Sequence, residues 1–218
     1  MSLLSIGILA SGSGTNFDSI AAAIESGKLR ARIAILVCNR ADATVLKKAE
    51  GRGIATRLLD HRRHASRAEF DDVVADALEA AGAELVVMAG FDRIVTATLL
   101  RRFPQRVVNI HPALLPSFRG THAQDQAAEY GVTIAGATVH FVDEDVDHGP
   151  IIAQAAVPVS PGEDAETVRQ RILAVEHRLY PHALQLYAEG RLEIHGRIVS
   201  VRDRAAMADE ALFSPPLD

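Results

Sequence analysis

Short, unbroken apolar runs alternate with segments of helical apolar spacing through the first half of this chain. That alternation limits the accessible folds more than any other feature. The runs are Leu3–Ala10, Arg32–Cys38, Ile54–Leu59, Glu84–Ala89 and Arg106–Ile110. Between them lie Asn16–Ser26 (Phe17, Ile20, Ala21, Ile24 on one face), Ala43–Arg52, Arg67–Ala81 (Phe70, Val73, Val74, Leu78) and Thr96–Arg102. Gly27, Gly53 and Gly82 mark helix ends. Strands that are apolar on both faces and are separated by helices belong to a parallel sheet covered on both sides. After His111 the rhythm changes. An irregular loop (112–121) and a short helix, His122–Tyr130, lead into two long strands, Val132–Val142 and Ile151–Pro158, joined by an acidic turn. Such close neighbours are expected to pair antiparallel. A long helix follows over Ala165–Tyr187, with Pro181 expected to kink it, then a hairpin over Leu192–Val201 and a frayed tail from Asp203. The expected fold class is α/β: a mostly parallel central sheet, Rossmann-like, with helices on both faces and antiparallel additions in the C-terminal part.

Charge and cysteine content narrow the function classes. The chain has 218 residues and a net charge of −5, which gives no electrostatic footprint for nucleic acid or an anionic membrane. One cysteine, Cys38, rules out an internal disulfide and fits a reducing compartment. The first ten residues read as a strand rather than a signal peptide, and no apolar run approaches the roughly 20 residues of a membrane span. The expectation is a cytoplasmic protein that binds neither nucleic acid nor membrane.

Four stretches carry possible chemistry. In Val107–Pro116, an apolar strand ends in Asn109 and His111, which lie two residues apart and therefore on one face; Pro112 then stops the strand. An amide and a titratable imidazole would stand side by side at a C-terminal sheet edge, where open α/β sheets bind ligands. Loop capping is the plainer use of both. The second stretch, Ser11-Gly12-Ser13-Gly14-Thr15-Asn16, joins a strand to a helix N-terminus and suits a phosphate, or simply a tight turn. It lacks the Walker ending and the third glycine of a dinucleotide loop. The third is the turn Asp143-Glu144-Asp145-Val146-Asp147-His148-Gly149-Pro150, which is either a solvated acidic turn or a donor of one inward carboxylate. Asp147, beside Gly149-Pro150, is the candidate, since a carboxylate near an imidazole raises its pKa. In the fourth, Met88–Val95, Gly90 and Phe91 leave backbone open beside an apolar wall, as a flat heteroaromatic ring or an ordinary strand-to-helix turn would require.

Taken together, Gly14-Thr15-Asn16, Ala89-Gly90-Phe91-x-Arg93-Ile94, Asn109-Ile110-His111-Pro112-x-Leu114-Leu115-Pro116 and Val139-His140-Phe141-Val142 with Asp147-x-Gly149-Pro150 resemble the folate-dependent formyltransferase superfamily. The resemblance is closest to its phosphoribosylglycinamide formyltransferase branch and covers roughly residues 4–195. It implies transfer of formyl from 10-formyltetrahydrofolate, as co-substrate, to the amino group of N1-(5-phospho-D-ribosyl)glycinamide in purine biosynthesis, with no metal. It implies that Gly14, Thr15, Asn16 and Glu176 hold the phosphorylated substrate. Arg67, Asp92, Arg93, Ile94, Val95 and Asn109, with Asp143, Glu144, Asp145, Val146 and Asp147, hold the folate. Asn109, His111 and Asp147 are catalytic, with Asp147 raising the His111 pKa. One formyltransferase domain over about 1–203 is implied, with a phosphate-binding half to about 105 and a folate and catalytic half from about 106. Residues 204–218 form a tail, and the protein is a monomer or homodimer. Formyltetrahydrofolate hydrolase and a non-catalytic nucleotide- or folate-binding module are the alternatives. A methionyl-tRNA formyltransferase would carry an RNA-binding domain and a basic patch. Asp92 departs from the family's usual apolar residue, the Ser117–Gly120 loop departs from a common Lys-Tyr-Pro-Gly form, and His148 stands where Gly is frequent.

Overall fold

The computed structural model describes residues 2–203 and Ser214. The tail expected to fray therefore lies, beyond Asp203 and apart from Ser214, outside the described residues. Among the described residues, nine strands form one sheet: β1 (Leu4–Ala10), β2 (Ala31–Cys38), β3 (Thr56–Leu58), β4 (Leu85–Met88), β5 (Val107–His111), β6 (Ile134–Phe141), β7 (Ile151–Pro158), β8 (Leu192–His195) and β9 (Ile198–Val201). Their order is β3-β2-β1-β4-β5-β6-β7-β9-β8. The first five pair in parallel, β5–β6 and β6–β7 pair antiparallel, and β8 with β9 closes the far edge as a hairpin.

Helices cover both faces because the strand residues alternate. Ile6, Ile8, Leu85 and Val87 pack under α1 (Thr15–Glu25), α2 (Thr44–Glu50) and α6 (Ala165–Ala188). Leu9, Val86 and Met88 point the other way, against α3 (Arg67–Ala80) and α4 (Ala97–Arg102). The remaining helix, α5 (Ala123–Tyr130), precedes β6. Chain order reverses between β1 and β4: from β1 the chain steps outward to β2 and β3, then returns to β4 on the other side. This is the topological switch point, where the two strand ends diverge and leave a crevice.

One detail differs from the sequence expectation. β3 is only three residues long, as suits an edge strand. Helix α6 carries Pro181 inside it and continues to Ala188. The proline costs one helical hydrogen bond, but Tyr180, Pro181 and Leu184 are all buried, and their packing offsets that loss.

Tyr180 ties the layers together. Its ring is fully buried and its hydroxyl lies 3.0 Å from the carbonyls of both Met88 and Val108, on adjacent strands. Burial keeps the phenol protonated, with its pKa pushed well above the usual value. Replacing Tyr180 with Phe leaves those carbonyls without this donor, and a loss of about 1–2 kcal/mol is expected for one buried hydrogen bond. Urea unfolding should show a lower midpoint and an unchanged slope.

Candidate active site

The C-terminal ends of β4 and β5 and the turn after β6 enclose a cleft of about 540 Å³. Its walls include Phe91 to Val95, Asn109, His111, Gly120, His140 and the whole run Val142–Asp147. Of the residues the sequence assigned to a folate, Asp92, Arg93, Ile94, Val95, Asn109, Asp143, Glu144, Asp145, Val146 and Asp147 line this cleft. Arg67 starts α3 with its side chain exposed and is not among the residues that line the cleft.

β5 delivers Asn109 and His111 to the same face because Val108 and Ile110 belong to the opposite one. Pro112 ends the strand just past His111. The loop that follows is pinned by β6 and β7. The Thr138 hydroxyl donates to the Ala113 carbonyl (2.7 Å) and accepts from Leu115 N–H (3.0 Å), and the Gln154 amide donates to the Leu115 carbonyl (2.9 Å). Antiparallel register sets Asn109 opposite His140 and His111 opposite Thr138. His140 is therefore a member of the site to which the sequence reading gave no role. Its signal was present: Thr138 and His140 alternate with Ala137, Val139 and Phe141, so both face away from the apolar side. Only the pairing register reveals which residues they oppose.

Asp147 joins these groups. One carboxylate oxygen lies 3.3 Å from His111 Nδ1 and accepts the Gly120 N–H at 2.8 Å. The other lies 3.5 Å from Asn109 Nδ2 and 3.7 Å from His140 Nε2. The turn that brings it inward is tight. Asp147 adopts φ +46°, and a Cβ on Gly149 would fall 1.9 Å from the Phe141 carbonyl oxygen, so only glycine fits there. His148, next to Asp147 in the chain, turns to Asp143 at 2.8 Å.

Burial and charge oppose each other here. Burial raises the Asp147 carboxyl, but the nearby His140 ring, the His111 charge and the Gly120 N–H together hold it below the usual range. For His111, burial lowers the pKa, while Asp147 and the Phe118 carbonyl raise it. The net is downward. The expectation that Asp147 lifts His111 holds for that interaction, but the ring is only 4% exposed and desolvation outweighs the pairing in the sum. The ring's Nε2 lies 2.8 Å from the Phe118 carbonyl. Each neutral tautomer thus sets one nitrogen lone pair against an oxygen, so a proton is readily placed once negative charge appears nearby.

The phosphate-loop candidates sit across the switch point. Helix α1 begins at Thr15 with Gly14 in the left-handed region (φ +72°), and no side chain among the described residues caps it. A Cβ on Gly14 would lie 2.5 Å from Val45 Cγ2. The free N–H groups of that first turn, with the helix dipole, have the chemistry to accept an anion. Asn16 Nδ2 donates to the Glu176 carboxylate at 2.8 Å, which brings the two candidate substrate residues together from α1 and α6. Burial pushes Glu176 up, and Asn16 pulls it partly back. The Asn16 Oδ1 is buried without a partner among the described residues.

Residues 4–184 match the model of the formyl transferase family. The chain is 36% identical over 200 residues to a phosphoribosylglycinamide formyltransferase of Haemophilus influenzae, covering 92% of this chain and 94% of that protein. A glycinamide ribonucleotide transformylase 1 from Symbiobacterium toebii superposes with TM-score 0.91 at 49% identity, covering 92% of this chain and 95% of that one. A formyltetrahydrofolate deformylase from Pseudomonas syringae superposes with TM-score 0.86 at 27% identity, covering 93% of this chain and 67% of that one. The chain spans about a fifth of the length of the trifunctional purine biosynthetic proteins that it also matches, covering 20% of the bovine protein. Among the described residues, no helix is long and apolar enough to cross a membrane.

The opposed contributions at His111 set the direction of its titration. By NMR, its midpoint is expected below the ordinary histidine value. Asp147→Asn removes the largest of the groups holding it up, so the midpoint moves further down. Because the folded protein then binds fewer protons than the unfolded chain, stability contributed by neutral His111 is present above the unfolded pKa and is lost on acidification. An upward move in Asp147→Asn would contradict this balance.

Proposed function

The chain belongs to the formyl transferase family, and on that basis we propose that it transfers the formyl group of 10-formyltetrahydrofolate to the amino group of N1-(5-phospho-D-ribosyl)glycinamide, a step of purine biosynthesis. The observation that carries this reading is the convergence of Asn109, His111 and His140 on the Asp147 carboxylate at the wall of the cleft. A site that only bound a folate would not need an amide donor, a titratable imidazole and a shared carboxylate around one point.

The chemistry follows from those groups. The folate ring lies against the backbone of residues 92–95 and the 143–147 turn, with its formyl carbon near Asn109. The phosphorylated substrate seats its phosphate on the first turn of α1, through Gly14, Thr15 and Asn16, and Glu176 holds its sugar. Its neutral amine attacks the formyl carbon. As the C–N bond forms, the carbonyl oxygen becomes an oxyanion, and Asn109 Nδ2 donates to it. The cationic amine then gives its proton to His111, which starts neutral: Nε2 leaves the Phe118 carbonyl to take that proton and face the new oxyanion, while Nδ1 stays against Asp147. The oxyanion's electron pair then re-forms the C=O bond as the bond from formyl carbon to folate nitrogen breaks, and that nitrogen takes the proton from His111, which returns to its neutral form. The proton count closes without any external acid.

Lowered basicity suits this role. An imidazole held neutral at rest can accept a proton, and Asp147 then stabilises the cation. His140 and the Gly120 N–H fix Asp147 in place, as outer partners orient an acting group. We further infer one formyltransferase domain over about 1–203, cytoplasmic, working on small molecules without nucleic acid, as a monomer or homodimer.

Steady-state turnover of 10-formyltetrahydrofolate with and without phosphoribosylglycinamide tests the assignment. Turnover is expected only with the amine. Equal turnover without it would make the protein a hydrolase, and no turnover under either condition would leave a binding module. Asn109→Ala removes one oxyanion donor and should lower kcat by about 100- to 1000-fold in a folded protein. Asp147→Asn should also reduce kcat sharply, and near-wild-type rates for that variant would overturn the role given to the carboxylate.

A further inference from the structure

Asp92 lines the cleft, yet its carboxylate is turned out of it. Asp92 Oδ1 accepts from Asn39 Nδ2 at 2.8 Å and lies 2.8 Å from the Ser11 hydroxyl, whose single proton it shares with Asn39 Oδ1 at 2.6 Å. Asp92 N–H donates back to the Ser11 hydroxyl at 2.9 Å. Asp92 Oδ2 pairs with the Arg40 guanidinium. Ser11 N–H also donates to the Gly90 carbonyl at 2.9 Å. Ser11 and Asn39 are buried, 7% and 2% exposed. Burial raises the Asp92 carboxyl, but Asn39, Ser11 and Arg40 hold it below the usual range, so it stays charged.

The location gives these bonds a meaning. Ser11 follows β1 and lies three residues before Gly14, at the head of the phosphate loop; Asp92 follows β4 at the head of the segment assigned to the folate. β1 and β4 flank the switch point, where the strand ends part. An apolar side chain at position 92 would supply cleft wall and none of the carboxylate contacts. Asp92 joins the lips of the crevice instead.

Resting on the function proposed above, we infer that Asp92 is a positioning residue that couples the two substrate sites, so that each ligand strengthens binding of the other. The physical route is short. A phosphate on the α1 turn orders the loop from Ser11, and Ser11 holds Asp92 and so the 91–95 backbone. A folate laid on that backbone orders the same bonds from the other side. Whichever ligand arrives second meets a segment already ordered and loses less conformational freedom. The factor is reciprocal by linkage.

Calorimetry with tetrahydrofolate, which has no formyl group to transfer, reads the coupling without turnover. In the wild-type protein, tetrahydrofolate is expected to bind about 5-fold or more tightly when phosphoribosylglycinamide is saturating. In Asp92→Ala the ratio should fall to within about 2-fold of one, and Ser11→Ala should do the same, with no further fall in the double variant. Asp92→Asn keeps one oxygen for Ser11 and Asn39 and should retain more of the ratio than Asp92→Ala. A merely structural role would weaken both measurements alike and cancel in the ratio. Should Asp92→Ala fail to fold, Ser11→Ala carries the test. An unchanged ratio in the variants, or a wild-type ratio of one with both ligands bound, overturns the coupling and leaves the proposed function standing. Failure of the wild-type protein to bind either ligand overturns the function and the coupling with it.

Discussion

A buried carboxylate must be matched or it will not stay charged, and the site of this protein is arranged around meeting that demand at Asp147. Its side chain is 12% exposed. Four groups from separate pieces of chain meet it: Asn109 and His111 from β5, His140 from β6, and the Gly120 N–H from the loop between them. Each of those groups gains an acceptor in return. The left-handed backbone at Asp147 and the close approach at Gly149 are local costs of turning this carboxylate inward, offset by the contacts it then makes.

That requirement explains the mixed sheet. The parallel half, from β3 to β5, leaves a crevice at its C-terminal edge and a helix N-terminus for an anion, but all its strands run the same way. The antiparallel return of β6 beside β5 faces Asn109 with His140, and the turn after β6 carries Asp147 back over the same edge. The parallel half supplies a place to bind and the antiparallel half supplies the counter-charge. Asp92 acts in the same region at smaller scale, tying the ends of β1 and β4 across the crevice.

Much of this was legible from residue order. Alternating apolar runs and helical segments specified a covered parallel sheet, and Asn109-x-His111 before Pro112 specified two polar groups on one face of a strand end. Other features were not. Thr138 and His140 stood in plain alternation, but pairing register decided that they oppose His111 and Asn109. The sign of the His111 shift depended on burial, which is a property of everything packed around the ring.

The sequence by itself determined the periodicities: which residues share a strand face, where proline must stop a strand, and where only glycine allows the backbone to turn. These are local, set by covalent geometry and sterics within a few residues. Tertiary structure alone decided which faces meet. It brought Asp147 from a distant turn to His111, drew Asn16 to Glu176 between two helices, and turned Asp92 toward Ser11 rather than into the cleft. Those outcomes depend on long-range packing and on the removal of water from charged groups, and neither is written in the spacing of residues along the chain.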